Sequence, residues 1–130
     1  MSKYRMENDD SVNSISNYSR HWKEKIERRK QNLQKRGKML KNLANKCSIL
    51  LKKMYKVKKV YLIGSLVREY KIHETSDIDL VVVGLPDEDY FSALKELYLL
   101  LPNGVDIDLI TEENATESMK IIIKKNGVLM

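Results

Sequence analysis

The stretch of sequence that decides the fold runs from residue 60 to residue 83 and reads VYLIGSLVREYKIHETSDIDLVVV. Its first four residues are apolar and predict a short strand that ends at Gly64. The residues after Ser65 can begin a helix, so Gly64 and Ser65 occupy a strand-to-helix turn. Backbone N–H groups are unpaired at a helix N-terminus, and glycine lets an anion approach the backbone closely, so this turn favours phosphate.

Two carboxylates lie at the start of the second apolar run in this stretch. Asp77 and Asp79 flank Ile78, and in a strand residues two positions apart project from the same face. Two neighbouring carboxylates repel each other and are costly to hold beside apolar groups, so the pair requires a cation. Mg²⁺ takes oxygen ligands, commonly one or two carboxylates together with substrate phosphates. The stretch therefore predicts a nucleotide–metal site.

A further pair of carboxylates follows in residues 104–110, which read GVDIDLI. Asp106 and Asp108 alternate with apolar residues and share one face of the strand predicted here. If this strand lies beside the strand of Asp77 and Asp79, three acids converge. In nucleotidyl transfer, two carboxylates hold metal against a triphosphate, and another orients or deprotonates the attacking hydroxyl while sharing a second metal.

These motifs resemble the minimal nucleotidyltransferases of the polymerase-beta-like superfamily, whose signature is Gly-Ser followed further along by Asp-x-Asp. The match is GS at residues 64–65 and SDIDL at residues 76–80. Residues 108–113 (DLITEE) resemble the third-aspartate strand of the family, and residues 123–129 resemble its closing helix, glycine and short strand. The resemblance covers residues 43–130 and favours Asp108 over Asp106 as the third acid.

The resemblance implies a role for each matched residue. The carboxylates that would act in catalysis and bind metal are Asp77, Asp79 and Asp108, and the residues that would contact the nucleotide are Gly64, Ser65 and Arg68. It also implies two Mg²⁺ ions and ATP or another nucleoside triphosphate as donor. By its size the chain is similar to family members that resemble antitoxins, which are encoded beside a small all-helical toxin, bind it and silence it by adding AMP to one of its tyrosines.

The order of predicted elements indicates an α/β or α+β fold, a small mixed sheet flanked by helices with a long N-terminal helical extension. The first predicted elements of the core are a strand over residues 57–63 and a short helix over 66–71. Further along, the sequence predicts a helix over 87–101, a strand over 105–110, a helix over 115–125 and an edge strand at 128–130. Thr111 can cap the helix over 115–125. The predicted division is a disordered or loosely docked arm over 1–18, a basic helical extension and first core helix over 19–56, and a nucleotidyltransferase core over 57–130. Gly37 is a plausible break in the long helix, although one continuous helix tolerates it.

Length and composition indicate the number of domains and the class of protein. The chain has 130 residues and 42% apolar residues, which is enough for one domain but not for a separate substrate domain. No apolar run approaches the roughly 20 residues of a membrane helix, and the N-terminus lacks a signal-peptide apolar region. The single cysteine, Cys47, lies on an apolar helical face, which predicts core packing and a reducing cytoplasm.

Charge is divided unevenly along the chain. Residues 1–56 carry 16 basic and 5 acidic side chains, and residues 57–130 carry 8 and 13. The basic helix has a thin apolar stripe of Trp22, Ile26 and Leu33, so it is either a solvated face or a surface for RNA or an acidic protein.

The sequence leaves two hypotheses. The first is a metal-dependent enzyme that moves a nucleoside monophosphate, with ATP the preferred donor, to a hydroxyl of a protein or other acceptor. The second is a degenerate module of the same fold that binds a helical protein partner or RNA, or that forms a homo-oligomer through its N-terminal helix. The second rests on Glu69, where the family often has glycine after the arginine, and on a loop one residue longer than the commonest form.

Overall fold

Helices and strands alternate along most of the chain in the computed structural model, but the first two strands are joined through a 3-10 turn. The structure describes residues 2–68 and 71–130, with side chains from residue 17 onward in those ranges. The elements are α1 (Ser2–Met54), β1 (Lys59–Ile63), a 3-10 turn (Gly64–Val67), β2 (Ile78–Val83), a 3-10 turn (Asp87–Asp89), α2 (Tyr90–Leu100), β3 (Ile107–Thr111), a 3-10 turn (Glu112–Asn114), α3 (Glu117–Asn126) and β4 (Val128–Leu129).

The strands in the described residues form a four-stranded mixed sheet in the order β3-β2-β1-β4. β1 pairs antiparallel with both β2 and β4, whereas β2 and β3 are parallel. The parallel pair needs a long connection, which α2 supplies. The predicted α/β class and the edge position of the last strand are confirmed.

The main core lies on one face of this sheet, against the C-terminal part of α1 and against α2. Alternate strand residues face it, because side chains in a strand alternate between the two faces. The α1 residues that are fully buried recur at helical spacing: Leu40, Ala44, Cys47 and Leu51. Burial of Cys47 confirms the prediction of core packing and raises the pKa of its thiol to about 11.

The opposite face of the sheet is covered over a smaller area. Its buried residues are Ile63 of β1, Val81 of β2 and Ile123 of α3, with Met119 packed against them. Only part of this face is therefore occupied by apolar packing, and the rest is where the acidic residues lie.

Helix α1 is continuous through Gly37, so the break considered from the sequence does not occur. A Cβ at this position would lie 2.6 Å from Ile72 Cδ1, so the loop fills the space beside the glycine. Contacts divide the chain into residues 1–33 and residues 34–130. The helix begins at Ser2, whereas the sequence predicted a disordered or loosely docked arm over residues 1–18. The side chains of residues 1–16 lie outside the described part of the chain. The predicted domain boundaries therefore stay a prediction.

Two local predictions differ from the structure. A short helix was expected over residues 66–71, of which 69 and 70 lie outside the described residues; the structure has a 3-10 turn over Gly64–Val67. The cap of the last helix is Thr116 and not Thr111, because a 3-10 turn intervenes and the Thr116 side chain accepts from the Met119 N–H at 3.2 Å. Among the described residues, no helix has the length and apolar character needed to cross a membrane.

Candidate active site

The strand register brings the predicted acids together. Asp79 of β2 lies opposite Ile63 of β1 on one side and opposite Asp108 of β3 on the other. Neighbouring strands are about 4.8 Å apart, so Asp79 and Asp108 are direct neighbours. Ile78 and Leu80 point into the main core, so Asp79 projects from the opposite face.

Asp77 and Asp106 precede the two parallel strands and differ in their surroundings. Asp77 is half-buried and close enough to Asp79 to act on its charge, whereas Asp106 is exposed. The Asp106 carbonyl accepts from the Ile78 N–H at 3.1 Å. The register therefore pairs Asp108, and not Asp106, with Asp79, in agreement with the choice favoured by the resemblance.

The electrostatics of the site centre on Asp79. Burial, together with the neighbouring charges of Asp108 and Asp77, raises the pKa of Asp79 from its ordinary value of 3.8 to about 6. Three carboxylates thus share a region in which negative charge is poorly compensated. An added cation would relieve this repulsion.

This shift predicts how the metal-free protein responds to pH. The pKa is higher in the folded than in the unfolded state, so the favourable contribution is complete below about pH 4 and is lost as pH rises through about 6. Asp79→Asn should therefore unfold like wild type near pH 4. At pH 8 the variant should be more stable by about 1 kcal/mol, a value reduced for the solvent around a half-buried carboxyl.

Denaturant unfolding at the two pH values, in chelator, measures this difference, with Asp106→Asn as the matched exposed control. A variant that is equally stable or less stable than wild type at pH 8 would contradict the electrostatic account. Adding Mg²⁺ should then stabilise wild type more than Asp79→Asn.

Gly64 allows the turn after β1 to lie close to the Asp79 carboxylate. It has a φ of +80°, and a Cβ at this position would collide with Oδ2 of Asp79. Glycine is required here both for the backbone conformation and for the close approach to the carboxylate. Gly64 and Asp79, 15 positions apart in sequence, are therefore in contact in the fold.

Ser65 links this turn to the loop that leads into Asp77. Its hydroxyl donates to Ser76 Oγ at 3.1 Å, and the backbone N–H of His73 donates to the same oxygen at 2.9 Å. Ser76 is 2% exposed. The imidazole of His73 is exposed and its Nδ1 pairs with Thr75 Oγ1 at 2.9 Å.

Arg68 lies in the described part of the chain, but Glu69 does not. The Arg68 guanidinium donates to Asn126 Oδ1 at 3.0 Å, which ties the end of the turn to the last residue of α3. Its predicted contact with the nucleotide stays a prediction.

The sequence interpretation missed Arg36, which it grouped with the basic residues of the extension as part of either a solvated face or a surface for RNA or an acidic protein. The Arg36 Nη2 donates to the Ser76 carbonyl at 3.1 Å, and its Nε is buried without a hydrogen-bond partner among the described residues. Helical spacing could have identified Arg36 from the sequence. Arg36 precedes the buried Leu40 by four residues, so both residues lie on the core side of the helix.

The metal-binding role of Asp77, Asp79 and Asp108 stays a prediction from the sequence. Within residues 17–68 and 71–130, no group of three His, Cys, Asp or Glu side chains is arranged to hold a metal ion as it stands. The donor chemistry nevertheless fits Mg²⁺, because Asp77, Asp79 and Asp108 offer only oxygen ligands. Burial and the charges of the other two acids raise the pKa of Asp79, so a bound cation would be favourable here.

Comparison with known proteins places this site in a family. A family model described as "Polymerase beta, Nucleotidyltransferase" matches residues 45–130, which include the turn and all the acids discussed above. A protein of Methanocaldococcus jannaschii named "Putative protein adenylyltransferase" is 35% identical over 82 residues, which cover 58% of this chain and 76% of that protein.

Solved structures share the fold. A chain of a toxin–antitoxin crystal structure with AMP-PNP aligns with a TM-score of 0.53 at 24% identity, over 65% of this chain and 69% of that one. A chain from a complex of tri-AMPylated Shewanella oneidensis HEPN toxin with MNT antitoxin aligns with a TM-score of 0.51 at 22% identity, over 69% and 70% of the two chains. From the family match over this site, the chain belongs to the polymerase beta nucleotidyltransferase family.

Proposed function

We propose that this nucleotidyltransferase moves AMP from ATP to a hydroxyl group of a protein acceptor in a metal-dependent reaction. The observation that carries the proposal is the register that sets Asp79 between Asp108 and the end of β1, where Gly64 contacts the Asp79 carboxylate. The related protein named as a protein adenylyltransferase supports the choice of AMP and of a protein acceptor. The likeness to a chain solved with AMP-PNP supports the fold in which such a site is built.

In this proposal Asp77, Asp79 and Asp108 would hold the Mg²⁺ ions. When bound, such ions would supply positive charge against the triphosphate and so favour in-line displacement at the α-phosphorus. The neighbouring turn orients the pyrophosphate end of the nucleotide through the backbone of Gly64 and the hydroxyl of Ser65.

In this proposal Asp108 acts as the base. Its side chain is exposed beside the half-buried Asp79, so an acceptor hydroxyl can approach it from solvent. Asp108 takes the proton from that hydroxyl as the oxygen forms a bond to the α-phosphorus and the bond to the pyrophosphate oxygen breaks. The proton can then pass to solvent.

Labelled ATP tests the proposal. The chain, purified together with the protein that co-purifies with it, is incubated with Mg²⁺ and ATP labelled at the α- or at the γ-phosphate. Label should enter protein only from the α position and should be lost in Asp77→Asn. Transfer from the γ position, or α-label transfer by Asp77→Asn at the wild-type rate, would contradict it. Absence of nucleotide binding would favour the degenerate binding module.

The proposed partner of this enzyme is an acidic helical protein, and the exposed stripe of α1 is its proposed contact. Tyr18, Trp22 and Ile26 recur every four residues and are 63%, 45% and 62% exposed. The rings of Tyr18 and Trp22 meet edge to face with centroids 6.0 Å apart, and Lys25 Nζ lies 5.5 Å from the Trp22 ring. Apolar rings flanked by cations suit an acidic amphipathic surface.

Trp22 is the single tryptophan of the chain, so its fluorescence reports on this surface directly. Partner binding should shift the emission to shorter wavelength, and Trp22→Ala should weaken binding about tenfold or more. Ile49→Ala, at an apolar position of α1 that is 46% exposed, is the control. Unchanged emission with unchanged affinity would exclude this contact; a shift with oligoribonucleotide or with protein concentration alone would instead favour RNA or self-association.

A further inference from the structure

We infer that Arg36 is a positioning residue for the metal-binding acids, acting from helix α1 through Ser76. This inference rests on the proposed function, since it concerns how that site is held in shape. Arg36 does not match the nucleotidyltransferase motif and lies well before it in sequence, in the basic part of the chain.

The contact falls on the peptide unit that leads into Asp77. Arg36 Nη2 donates to the Ser76 carbonyl at 3.1 Å, and that carbonyl belongs to the peptide bond shared with Asp77. A charged donor forms a stronger hydrogen bond than a neutral one. Arg36 therefore fixes the orientation of the peptide plane from which Asp77 extends.

Ser76 also joins the loop to the turn that contains Gly64 and Ser65. The backbone N–H of Ser76 donates to the His73 carbonyl at 3.0 Å, while its Oγ accepts from the His73 N–H at 2.9 Å and from Ser65 Oγ at 3.1 Å. With the Arg36 contact added, one buried residue connects α1, the turn after β1 and the start of β2. Movement of Arg36 would thus reach both the acids and Ser65.

The helix surface beside Arg36 is also shaped to the loop. Gly37 is buried, and a Cβ there would lie 2.6 Å from Ile72 Cδ1. Helix α1 accordingly contacts both ends of the loop over residues 72–76, at Ile72 through Gly37 and at Ser76 through Arg36. Two independent contacts at neighbouring helix positions indicate that this part of α1 is a binding surface for the loop.

The choice of arginine has a chemical reason. The guanidinium stays charged at any working pH and offers its donors in a rigid plane, so it holds a carbonyl in a defined direction. Methionine has a similar length but would leave the buried Ser76 carbonyl without this donor. Lysine can still donate, but its flexible stem holds the carbonyl less rigidly.

The test compares Arg36→Met and Arg36→Lys with Lys35→Met, a change of the same kind at the exposed neighbouring position. Two readouts are taken: the affinity for ATP with Mg²⁺, and amide hydrogen exchange over residues 72–79 and over α2. Arg36→Met should bind ATP with Mg²⁺ about tenfold more weakly and exchange faster over residues 72–79 only. Arg36→Lys should recover most of both effects, and Lys35→Met should match wild type.

Two results would overturn the inference. One is an Arg36→Met variant with wild-type affinity and wild-type exchange over residues 72–79. The other is an Arg36→Met variant whose amide exchange is faster over α2 to the same extent as over residues 72–79, which would mean general destabilisation. If Arg36→Met does not fold, the same comparison of affinity and exchange is made between Arg36→Lys and wild type. Failure of wild type itself to bind ATP would count against the proposed function, while the exchange comparison would still decide the role of Arg36.

Discussion

Asp79→Asn is expected to slow nucleotidyl transfer by at least about a thousandfold, because metal-assisted charge stabilisation contributes several kcal/mol to such a reaction. Asp79 is the central acid of the site, with Asp108 beside it and Gly64 against its carboxylate. An amide keeps the shape of the side chain but removes the charge that would hold the ion. The measurement is the initial rate of α-label transfer from ATP.

The unfolding measurement at pH 8 distinguishes loss of activity from loss of the fold, because the same substitution should stabilise the metal-free protein there. Asp106→Asn is the matched control: Asp106 has the same chemistry two residues before Asp108 but is exposed and not paired with Asp79. Its rate should stay within about twofold of wild type. Equal losses in the two variants would show that the site had been assigned to the wrong acids.

Gly64→Ala is expected to abolish Mg²⁺-dependent nucleotide binding and to destabilise the fold. The φ of +80° costs an alanine about 1 kcal/mol or more, and the new methyl group would also collide with the Asp79 carboxylate. Either the turn or the carboxylate must move, and both belong to the proposed site. Calorimetric titration with ATP measures the loss of binding.

Gly104→Ala separates strain from collision. Gly104 has a similar φ of +84°, but a Cβ there would meet no atom within 4 Å. This variant should lose about 1 kcal/mol of stability and keep its affinity for ATP. If both variants bind ATP like wild type, the turn at Gly64 does not take part in binding.

The acid cluster was predictable because each of its parts has a local signature. Alternation placed Asp77 and Asp79 on one face of a strand, and the same pattern recurred at Asp108. The choice between Asp106 and Asp108 depended on the register of two strands that lie far apart in sequence, and the resemblance supplied it before the structure did. The register agrees because Ile78 pairs with Ile107.

The features that the sequence did not reveal depend on tertiary contacts. Gly37 would weaken an isolated helix, but here the Ile72 side chain fills the space beside it. In the sequence Arg36 was one of several basic residues of the extension, although its partner in the fold is a backbone carbonyl 40 positions away. Thr111 was expected to cap the last helix, but a 3-10 turn lies between Thr111 and that helix, and Thr116 is the residue that caps it.

Titration of the purified protein with ATP, with and without Mg²⁺, in wild type and Asp79→Asn, is the most direct test of a metal–nucleotide site built from the turn and the paired strands. We expect wild type to bind ATP only when Mg²⁺ is present, and Asp79→Asn to lose that dependence together with most of the affinity. Equal binding by the two proteins with Mg²⁺ present would contradict the account.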